Sequence, residues 1–393
     1  SFAHVFRAPP ERRSVRLSTL TLRHFRNLCD QDLELPPEGV ALIGDNAQGK
    51  SNFLEAIYYL ETFRSFRGAP DEQLVTFGAD VFRVVGNAAS SASSDRSTAH
   101  GTAQVTAAFE RKGRRKKVCV DGAEQERLGA ALGRLAAVIF SPADLELVSG
   151  GPKERRRFLD IVLSLNEPGY LGALQEYRRV LLQRNAALRD ALPASIVHAW
   201  DPGLIESGAE VIRARRDWIE GVGPAFGTFY ARVSNDGRAS MTYEASVPLG
   251  HARAAEDVRA AFHDALEGAS ERDRRLGTTT VGPHRDEVRL ALDGTGDGLD
   301  LREYGSGGQR RTAALALRLV EAETIRDRRG EAPLILVDDA FAELDEGRSE
   351  RVLELMEAAE AGQVVLTAPK ESDVRFKRQT LARWRIKAGR LTT

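Results

Sequence analysis

Residues 44–51 read GDNAQGKS and decide the fold, because they match the phosphate-binding loop pattern G-x-x-x-x-G-K-[ST]. The run GVALIG at residues 39–44 is short and apolar, which is typical of a buried strand. After the loop, apolar side chains recur at helical spacing, namely Phe53, Leu54, Ile57, Tyr58 and Leu60. A chance glycine-rich turn would not need this strand before it and this helix after it. The stretch therefore predicts an α/β fold with a nucleoside triphosphate site.

The loop residues have distinct predicted roles. Its glycines let successive backbone N–H groups face phosphate oxygens. Lys50 is predicted to reach the β- and γ-phosphates and to act in catalysis, and the Ser51 hydroxyl is predicted to ligate Mg²⁺. The cofactors are therefore predicted to be ATP and Mg²⁺. The full nucleotide-contacting set at this loop is Gly44, Asp45, Asn46, Ala47, Gln48, Gly49, Lys50, Ser51 and Asn52.

An acidic pair follows a second apolar run, LILVDDAFAELD, at residues 334–345. A metal ion held by one serine needs another anchor, which is commonly a carboxylate at the end of a buried strand. Asp338 is predicted to hold the metal, and Asp339 to orient or deprotonate the attacking water. The alternative is a strand-end pair that caps the next helix. The phosphate-binding loop elsewhere in the chain favours the metal interpretation.

A second glycine-rich stretch, YGSGGQRR at residues 304–311, precedes a run with helical spacing. Backbone N–H groups at a helix start attract anions. A nucleotide already held by the first loop has one covered face, so we expect this stretch to cover the other face of a nucleotide on another copy of the chain. A two-fold dimer would then enclose two ATP molecules. The predicted contacts are Ser306, Gly307, Gly308 and Gln309; the alternative is a helix N-cap with no ligand.

Composition limits the classes of protein. The 393 residues are 42% hydrophobic and 29% charged, which is typical of globular chains with more than one domain. No apolar run is long enough to span a bilayer, and the first residues do not resemble a secretory signal. Cys29 and Cys119 alone argue against a disulfide framework and favour the cytoplasm. With a formal net charge of −1, any nucleic-acid surface must be local.

The pattern of elements predicts three segments. Residues 14–150 read as the first part of an α/β head and residues 271–393 as its second part. Residues 151–270 carry apolar side chains at three- and four-residue spacing, which predicts a helical insertion, interrupted by a strand at residues 239–246. Residues 88–102 are small and polar and read as a loop. No sustained heptad appears, so a long coiled coil is not expected.

The basic stretch RKGRRKK at residues 111–117 lies between two strand-like runs. Its cations could contact DNA phosphates without reading sequence, which favours duplex, since no aromatic residues interleave with them. A solvated hairpin tip is the alternative, and both interpretations stay open. The predicted DNA contacts are Arg111, Arg114, Arg115, Lys116 and Lys117.

Arginines at 155–157 open a predicted helix, where cations oppose the helix dipole. They predict either an external anion or pairing with Glu154 and Asp160. His284 is predicted to be hydrogen-bonded within the α/β head and not to be a metal ligand.

The order of these motifs resembles the ABC-type ATPases of the SMC, Rad50 and RecF group, with AELD at residues 342–345 as its last member. The RecF family is the most similar within that group. The shared motifs are LRHFRNL at residues 22–28, GDNAQGKSNFLEAIYYL at 44–60, FSPADLELVSGGPKERRRFLD at 140–160, GPHRDE at 282–287 and YGSGGQRR at 304–311. The resemblance covers the chain from about residue 17 and implies an ABC-type P-loop ATPase head with an inserted, mainly helical arm domain.

The resemblance also implies an activity. Members of the family bind ATP weakly, dimerise on it, hydrolyse it slowly and bind DNA, which is expected to be duplex at gap junctions. With RecO and RecR they help to load the recombinase at single-strand gaps, in repair, replication restart and the SOS response. The alternative is the ATPase head of another SMC- or Rad50-like chromosome-maintenance protein. A transporter ATPase is disfavoured, because that class has a histidine where Ala368 stands.

Three departures from the wider superfamily predict slow turnover. Gly305 stands where the superfamily has leucine, and Asp339 replaces a glutamate with a carboxylate that is one methylene shorter. No glutamine marks a Q-loop, and residues 141–144 occupy that region.

Overall fold

The computed structural model describes residues 13–90, 102–235, 237–292, 298–339, 346–358, 362–374 and 381–393. These residues belong to two compact units. The α/β unit combines the described residues up to Ala143 with those from Glu321 onward, and the helical unit is Asp144–Val320. AELD at residues 342–345 lies outside the described residues.

In chain order, the strands are β1 Arg13–Arg23, β2 Gln31–Glu34, β3 Gly39–Ile43, β4 Val81–Ser90, β5 Thr102–Glu110, β6 Arg115–Val120, β7 Ala123–Glu124, β8 Ala137–Phe140, β9 Ala239–Glu244, β10 Glu287–Leu292, β11 Glu331–Ala332, β12 Leu334–Asp338, β13 Val364–Ala368, β14 Ala382–Lys387 and β15 Arg390–Thr392. The helices are α1 Lys50–Thr62, α2 Glu146–Ser149, α3 Pro152–Asn166, α4 Tyr170–Arg189, α5 Ala194–His198, α6 Asp201–Ser234, α7 Ala255–Leu276, α8 Leu301–Tyr304, α9 Gly307–Arg329 and α10 Glu346–Ala358.

One sheet of the α/β unit is mainly parallel and positions the site. Its described strands run in the order β15, β14, β3, β13, β12, β8, and β15 alone pairs antiparallel. The side chains of β8, β12 and β13 are buried throughout, as expected where both faces of a parallel sheet are covered. Because parallel strands end at one edge, the ends of β3, β12 and β13 lie side by side.

The other sheet of this unit is mostly antiparallel, in the order β11, β1, β4, β5, β6, β7, with β2 also paired to β1. Helix α1 contacts strands of both sheets, β4 and β5 in this one and β8, β12 and β13 in the parallel one. Its buried apolar residues include Phe53, Leu54 and Ile57, which confirms the helix predicted after the loop. The helix that carries Lys50 and Ser51 is thus fixed by packing on both sides.

The helical unit has two main cores. Buried residues of α3, α6, β10 and the first half of α9 form one, among them Phe158, Trp218, Leu290 and Leu317. The other joins α4, α6 and α7 through residues such as Tyr177, Ile212 and Phe262. Strand β9 pairs antiparallel with β10, with Met241 opposite Leu290. The segment predicted as a helical insertion carries α3 to α7, and β9 ends at Glu244, two residues before the end of the strand predicted at residues 239–246.

The structure differs from the sequence prediction in the boundary of the helical unit and in the length of one loop. The helical unit extends to Val320, whereas the sequence predicts residues 271–320 in the head, because β10 pairs with β9 and α9 begins in the same core. The predicted loop at 88–102 is shorter, since β4 continues to Ser90 and β5 begins at Thr102; residues 91–101 lie outside the described residues. In each case pairing with a distant strand overrides local composition.

Candidate nucleotide-binding site

The loop at residues 44–51 joins β3 to α1, as predicted. Gly49 stands at the N-cap of α1 with φ of +113°, a region that favours glycine. Its carbonyl accepts a hydrogen bond from the Phe53 N–H at 3.0 Å, which begins the helix. Gly44 is held at the other end, where its N–H donates to the Ala368 carbonyl of β13 at 3.2 Å. The loop is therefore anchored at both ends.

Lys50 lies inside this loop with 5% of its side chain exposed. Its Nζ donates to the carbonyls of Gly44 at 2.7 Å and Asp45 at 3.2 Å, and it lies 4.0 Å from Asp339 Oδ2. These contacts hold the ammonium group within the curl of the loop. A buried cation in this position can bind the phosphates of a nucleotide.

Ser51 and Asp338 come together as predicted. The Ser51 hydroxyl donates to Asp338 Oδ1 at 2.8 Å, although the two residues are far apart in sequence. Thr367 donates to the same carboxylate oxygen at 3.1 Å and accepts from the Asp339 N–H at 3.1 Å. Thr367 was missed by the sequence analysis. Its only signal is its place opposite Asp338 in the register of β12 and β13.

Asp338 and Asp339 both have raised pKa values, which favours the binding of a cation beside them. Burial raises the pKa of Asp338, against the hydrogen bonds from Ser51 and Thr367 that lower it. Burial also raises the pKa of Asp339, which the charge of Lys50 opposes and the charge of Asp338 reinforces. Ionisation of each carboxylate is thus disfavoured in a partly desolvated place, and a bound cation would offset that cost.

Arg67 is a second residue that the sequence analysis missed. Its guanidinium donates to Glu55 and to Asn52, a predicted nucleotide contact at the start of α1. Burial raises the pKa of Glu55, but hydrogen bonds from Arg67, Arg26 and Ser65 outweigh it and the net pKa is lowered. The charge of Arg67 also lowers the pKa of Asp338. A cation is therefore fixed beside the predicted metal ligand.

The turn between β14 and β15 supports the outer side of the loop. Gln48 accepts from the Ala388 N–H at 2.6 Å through its side chain and from the Gly389 N–H at 3.0 Å through its carbonyl. Gly389 has φ of +77°, and a Cβ there would lie 1.9 Å from the Asn27 carbonyl oxygen. Asn27 in turn donates to the Ala47 carbonyl at 3.4 Å. None of these three hydrogen bonds could be predicted from the motif alone.

The second glycine-rich stretch starts α9 in the helical unit. Gln309 N–H donates to Ser306 Oγ at 3.2 Å, and Ser306 N–H donates to Gln309 Oε1 at 2.8 Å. This reciprocal pair is a capping box. Ser306 and Gly307 are exposed, whereas Gly308 and Gln309 are half-buried. The geometry thus contains the N-cap of the alternative interpretation, and it leaves Ser306 open to solvent.

The basic stretch comprises the turn between β5 and β6 and the first three residues of β6, and we call residues 111–117 the basic turn. Five of its six cations divide into two groups. Arg111 donates to the carbonyls of Glu72 and Val75, and Lys116 pairs with Asp71 at 2.7 Å, so both are used in packing. Arg114, Arg115 and Lys117 are exposed and pair with the surface acids Glu72 and Glu124.

Arg155 and His284 have internal partners, both in the helical unit. The external anion predicted for Arg155 is wrong, because this arginine is buried and pairs with Glu287 at 2.8 Å, and not with Glu154 or Asp160. His284 Nε2 donates to the Thr279 carbonyl at 2.9 Å, and its Nδ1 lies 2.6 Å from the Tyr177 hydroxyl. Burial lowers its pKa to about 4, so it is neutral near pH 7. It is hydrogen-bonded as predicted, but outside the α/β unit.

Within the described part of the chain, no helix combines the length and the apolar character that crossing a bilayer requires.

A family model described as the RecF/RecN/SMC N terminal domain matches residues 16–387. A DNA replication and repair protein RecF from Synechococcus sp. (strain JA-3-3Ab) is 39% identical over 348 residues, which are 87% of this chain and 88% of that protein. The protein of the same name from Halalkalibacterium halodurans is 35% identical over 344 residues, 86% of this chain and 89% of its own.

Solved structures give the same result. The recombination mediator protein RecF of the RecFOR pathway, described as RecF-ATP, superposes with a TM-score of 0.87 at 30% identity over 98% of this chain and 99% of its own. The form described as RecF-ATPrS has a TM-score of 0.85 at 31% identity, over 97% and 98%. An Smc head domain from Pyrococcus furiosus shares the fold, with a TM-score of 0.55 at 16% identity, over 96% and 95%. The predicted ABC-type fold is confirmed.

Proposed function

The chain belongs to the RecF family of DNA replication and repair proteins, and we propose that it is an ATP-dependent DNA-binding protein that dimerises on ATP. It would act in recombinational repair and replication restart, where it helps to load recombinase at single-strand gaps. One observation carries the proposal: Lys50, Ser51 and Asp338 meet at the edge where β3, β12 and β13 end. A solved relative is described as RecF-ATP, which supports ATP as the ligand.

Mg²⁺ fits the oxygen donors at this edge. A hydroxyl and a carboxylate are ligands that Mg²⁺ accepts, and Ser51 Oγ lies 2.8 Å from Asp338 Oδ1. The raised pKa of Asp338 indicates a carboxylate that gains from a cation. Ser51 and Asp338 would hold the ion, which would neutralise charge on the phosphate oxygens. Arg67 would add positive charge on the same side.

Hydrolysis would be slow and would end the ATP-bound state. Asp339 is the nearest predicted base, and its carboxylate lies 4.0 Å from the Lys50 ammonium. An aspartate reaches less far than the glutamate of the wider superfamily, so we expect weaker activation of water. The enzyme would be a weak ATPase that DNA stimulates.

The ATP-bound form would be a homodimer in which the Ser306 stretch of one copy covers the nucleotide of the other. Ser306 is exposed at the N-terminus of α9, where backbone N–H groups attract anions. Loss of the γ-phosphate would weaken this contact and release the dimer from DNA. RecR and RecO are proposed partners, since the solved relatives are assigned to the RecFOR pathway, and the site of action would be cytoplasmic. The alternative of another SMC- or Rad50-like head has no support beyond the shared fold.

Sedimentation and ATPase measurements test this function. We expect a monomer without nucleotide or with ADP, a dimer with ATP and Mg²⁺, and faster ATP turnover when duplex DNA is added. We expect a dimer only with ATP, because only the triphosphate can bridge two copies. An unchanged sedimentation coefficient in all three nucleotide states, with an ATPase rate that DNA leaves unaltered, would contradict the proposal.

The exposed cations of the basic turn give a second test. Replacing Arg114, Arg115 and Lys117 by glutamine should weaken duplex binding and reduce the slope of log affinity against log salt, by about 0.9 for each phosphate that is no longer bound. Arg111 and Lys116 are left in place, because both support the fold. The matched control neutralises three exposed cations elsewhere in the α/β unit, Arg134, Lys370 and Lys387. An equal slope in both triple variants would place the DNA contact elsewhere.

A further inference from the structure

Phe77 is an aromatic side chain with its full surface in water, at 101% exposure. It stands in the turn of residues 76–79, where the Ala79 N–H donates to the Thr76 carbonyl at 3.0 Å and Gly78 has φ of +84°. Single exposed apolar residues are common on protein surfaces. Phe77 differs from such residues in that it is fully exposed on a hydrogen-bonded turn.

The turn that carries Phe77 is rigidly attached to the fold. The Thr76 N–H donates to the His24 carbonyl at 2.8 Å, and Val75 forms a bridge with Phe25. Val75 and Phe25 are both buried. Phe77 is therefore presented by a fixed support, so little conformational entropy would be lost when a flat ligand stacks on its ring.

The basic turn makes hydrogen bonds and an ion pair with residues on either side of the Phe77 turn. The Arg111 N–H donates to the Asp80 carbonyl at 2.8 Å, and the Arg111 guanidinium donates to the Val75 carbonyl at 3.2 Å. Arg114 pairs with Glu72 at 2.6 Å, just before the Phe77 turn in the chain. Lys112 is exposed and has no acidic partner among the residues that the structure describes. The turn that carries Phe77 and the basic turn therefore adjoin each other in the α/β unit.

Nearby acids moderate the charge of this surface. Glu72 is occupied by Arg114, and Asp71 by Lys116. Arg114 and Arg115 remain 78% and 72% exposed, so their guanidinium groups can exchange a surface acid for a phosphate at little cost. Surface ion pairs of this kind contribute little stability, which leaves the cations available to a polyanion.

Proteins commonly bind single-stranded nucleic acid through exposed aromatic rings that lie near several cations. Cations follow the phosphates while a base stacks on the aromatic face. A continuous duplex offers no free base face, whereas a gap junction or a single strand does. A protein partner would also bury Phe77, but the cations around it favour a polyanion over an apolar protein surface.

We propose that Phe77 stacks on an unpaired base of DNA whose phosphates contact the exposed cations of the basic turn. This contact rests on the DNA binding proposed above and adds a preference for DNA with an unpaired base over continuous duplex. The sequence favoured duplex because no aromatic residue interleaves with residues 111–117, and Phe77 supplies an aromatic side chain from outside that stretch. Phe77 was not predictable from the sequence, because it reaches the basic turn only through the pairing of β4 with β5.

The test compares Phe77→Ala with the wild-type chain, both full length and with ATP and Mg²⁺, on three DNAs: single-stranded, gapped and continuous duplex. The gapped DNA carries 2-aminopurine at its junction. We expect Phe77→Ala to lower affinity for the single-stranded and gapped DNAs by about 5- to 100-fold and to abolish the quenching of 2-aminopurine. Affinity for continuous duplex should not change. Phe77→Trp should restore both binding and quenching.

Leu128→Ala is the matched control, since Leu128 is another exposed apolar residue of the α/β unit. Equal unfolding midpoints would show that no variant acts through stability. Normal wild-type binding with no loss in Phe77→Ala, or an equal loss on all three DNAs, would overturn the stacking contact alone. If Phe77→Ala keeps its affinity for all three DNAs but loses binding to a protein partner, the stacking contact is overturned too. A wild-type chain that binds none of the DNAs would overturn the proposed function as well.

Discussion

Replacing Lys50 with alanine should weaken ATP binding by about 100-fold or more, the largest effect that we expect from one substitution. The buried ammonium group is held by the carbonyls of Gly44 and Asp45 and faces Asp339. Its contacts with phosphate would be charge-assisted, and each such hydrogen bond contributes about 1.5–3 kcal/mol. Isothermal titration with ATP and Mg²⁺ measures the loss directly.

A second variant separates charge from packing. Lys50→Met keeps the apolar stem of the side chain and should lose as much affinity as Lys50→Ala. Lys153→Ala, at an exposed lysine of α3, is the control and should bind ATP like the wild-type chain. Near-normal ATP affinity in Lys50→Met would refute the assignment of the phosphate-binding loop. Circular dichroism would show whether either Lys50 variant is still folded.

Contiguous motifs were predictable because each contains its own geometry. The loop at residues 44–51 needs only a strand before it and a helix after it, and β3 and α1 supply them. Asp338 was predictable for the same reason, since an apolar run that ends in a carboxylate marks the end of a buried strand. Features that a local sequence pattern determines, such as this loop and this strand end, were therefore predictable from the sequence alone.

The supporting residues were not predictable because they depend on which distant segments pair. Thr367 reaches Asp338 only because β12 and β13 are neighbours in this register. Arg67 is held in place by its hydrogen bond to Glu55, which lies one helical turn after Ser51. Gly389 supports Gln48 across most of the length of the chain. The local pattern of the sequence does not show which distant segments pair, so the motif was predictable but the residues that support it were not.

Charge runs were the least predictable feature. Six cations in residues 111–117 look alike in the sequence. In the structure, Arg111 and Lys116 are held by contacts within the fold, whereas Arg114 and Arg115 are exposed and have only surface acids as partners. Arg155 likewise looks like a free cation in the sequence and is buried against Glu287. Whether a cation has an internal partner is decided by tertiary packing, which composition does not encode.

Substituting Ser306 should remove the ATP-dependent dimer while each chain still binds ATP, because the phosphate-binding loop of each chain is untouched. Ser306→Arg places a bulky side chain where the γ-phosphate of the other copy would bind, but it also breaks the capping box with Gln309. Losing such a cap costs about 0.5–2 kcal/mol of helix stability. A cap-preserving variant is therefore needed.

Ser306→Asp meets that need, since aspartate is as good an N-cap as serine and carries a negative charge that repels phosphate. We expect both variants to remain monomeric in sedimentation runs with ATP and Mg²⁺, at concentrations where the wild-type chain dimerises, and to bind ATP with wild-type affinity in titrations. Ser195→Arg makes the same change at an exposed site of α5 and should still dimerise. An ATP-dependent dimer of Ser306→Asp would contradict a nucleotide shared between two copies, because the γ-phosphate could not tolerate a carboxylate at that position.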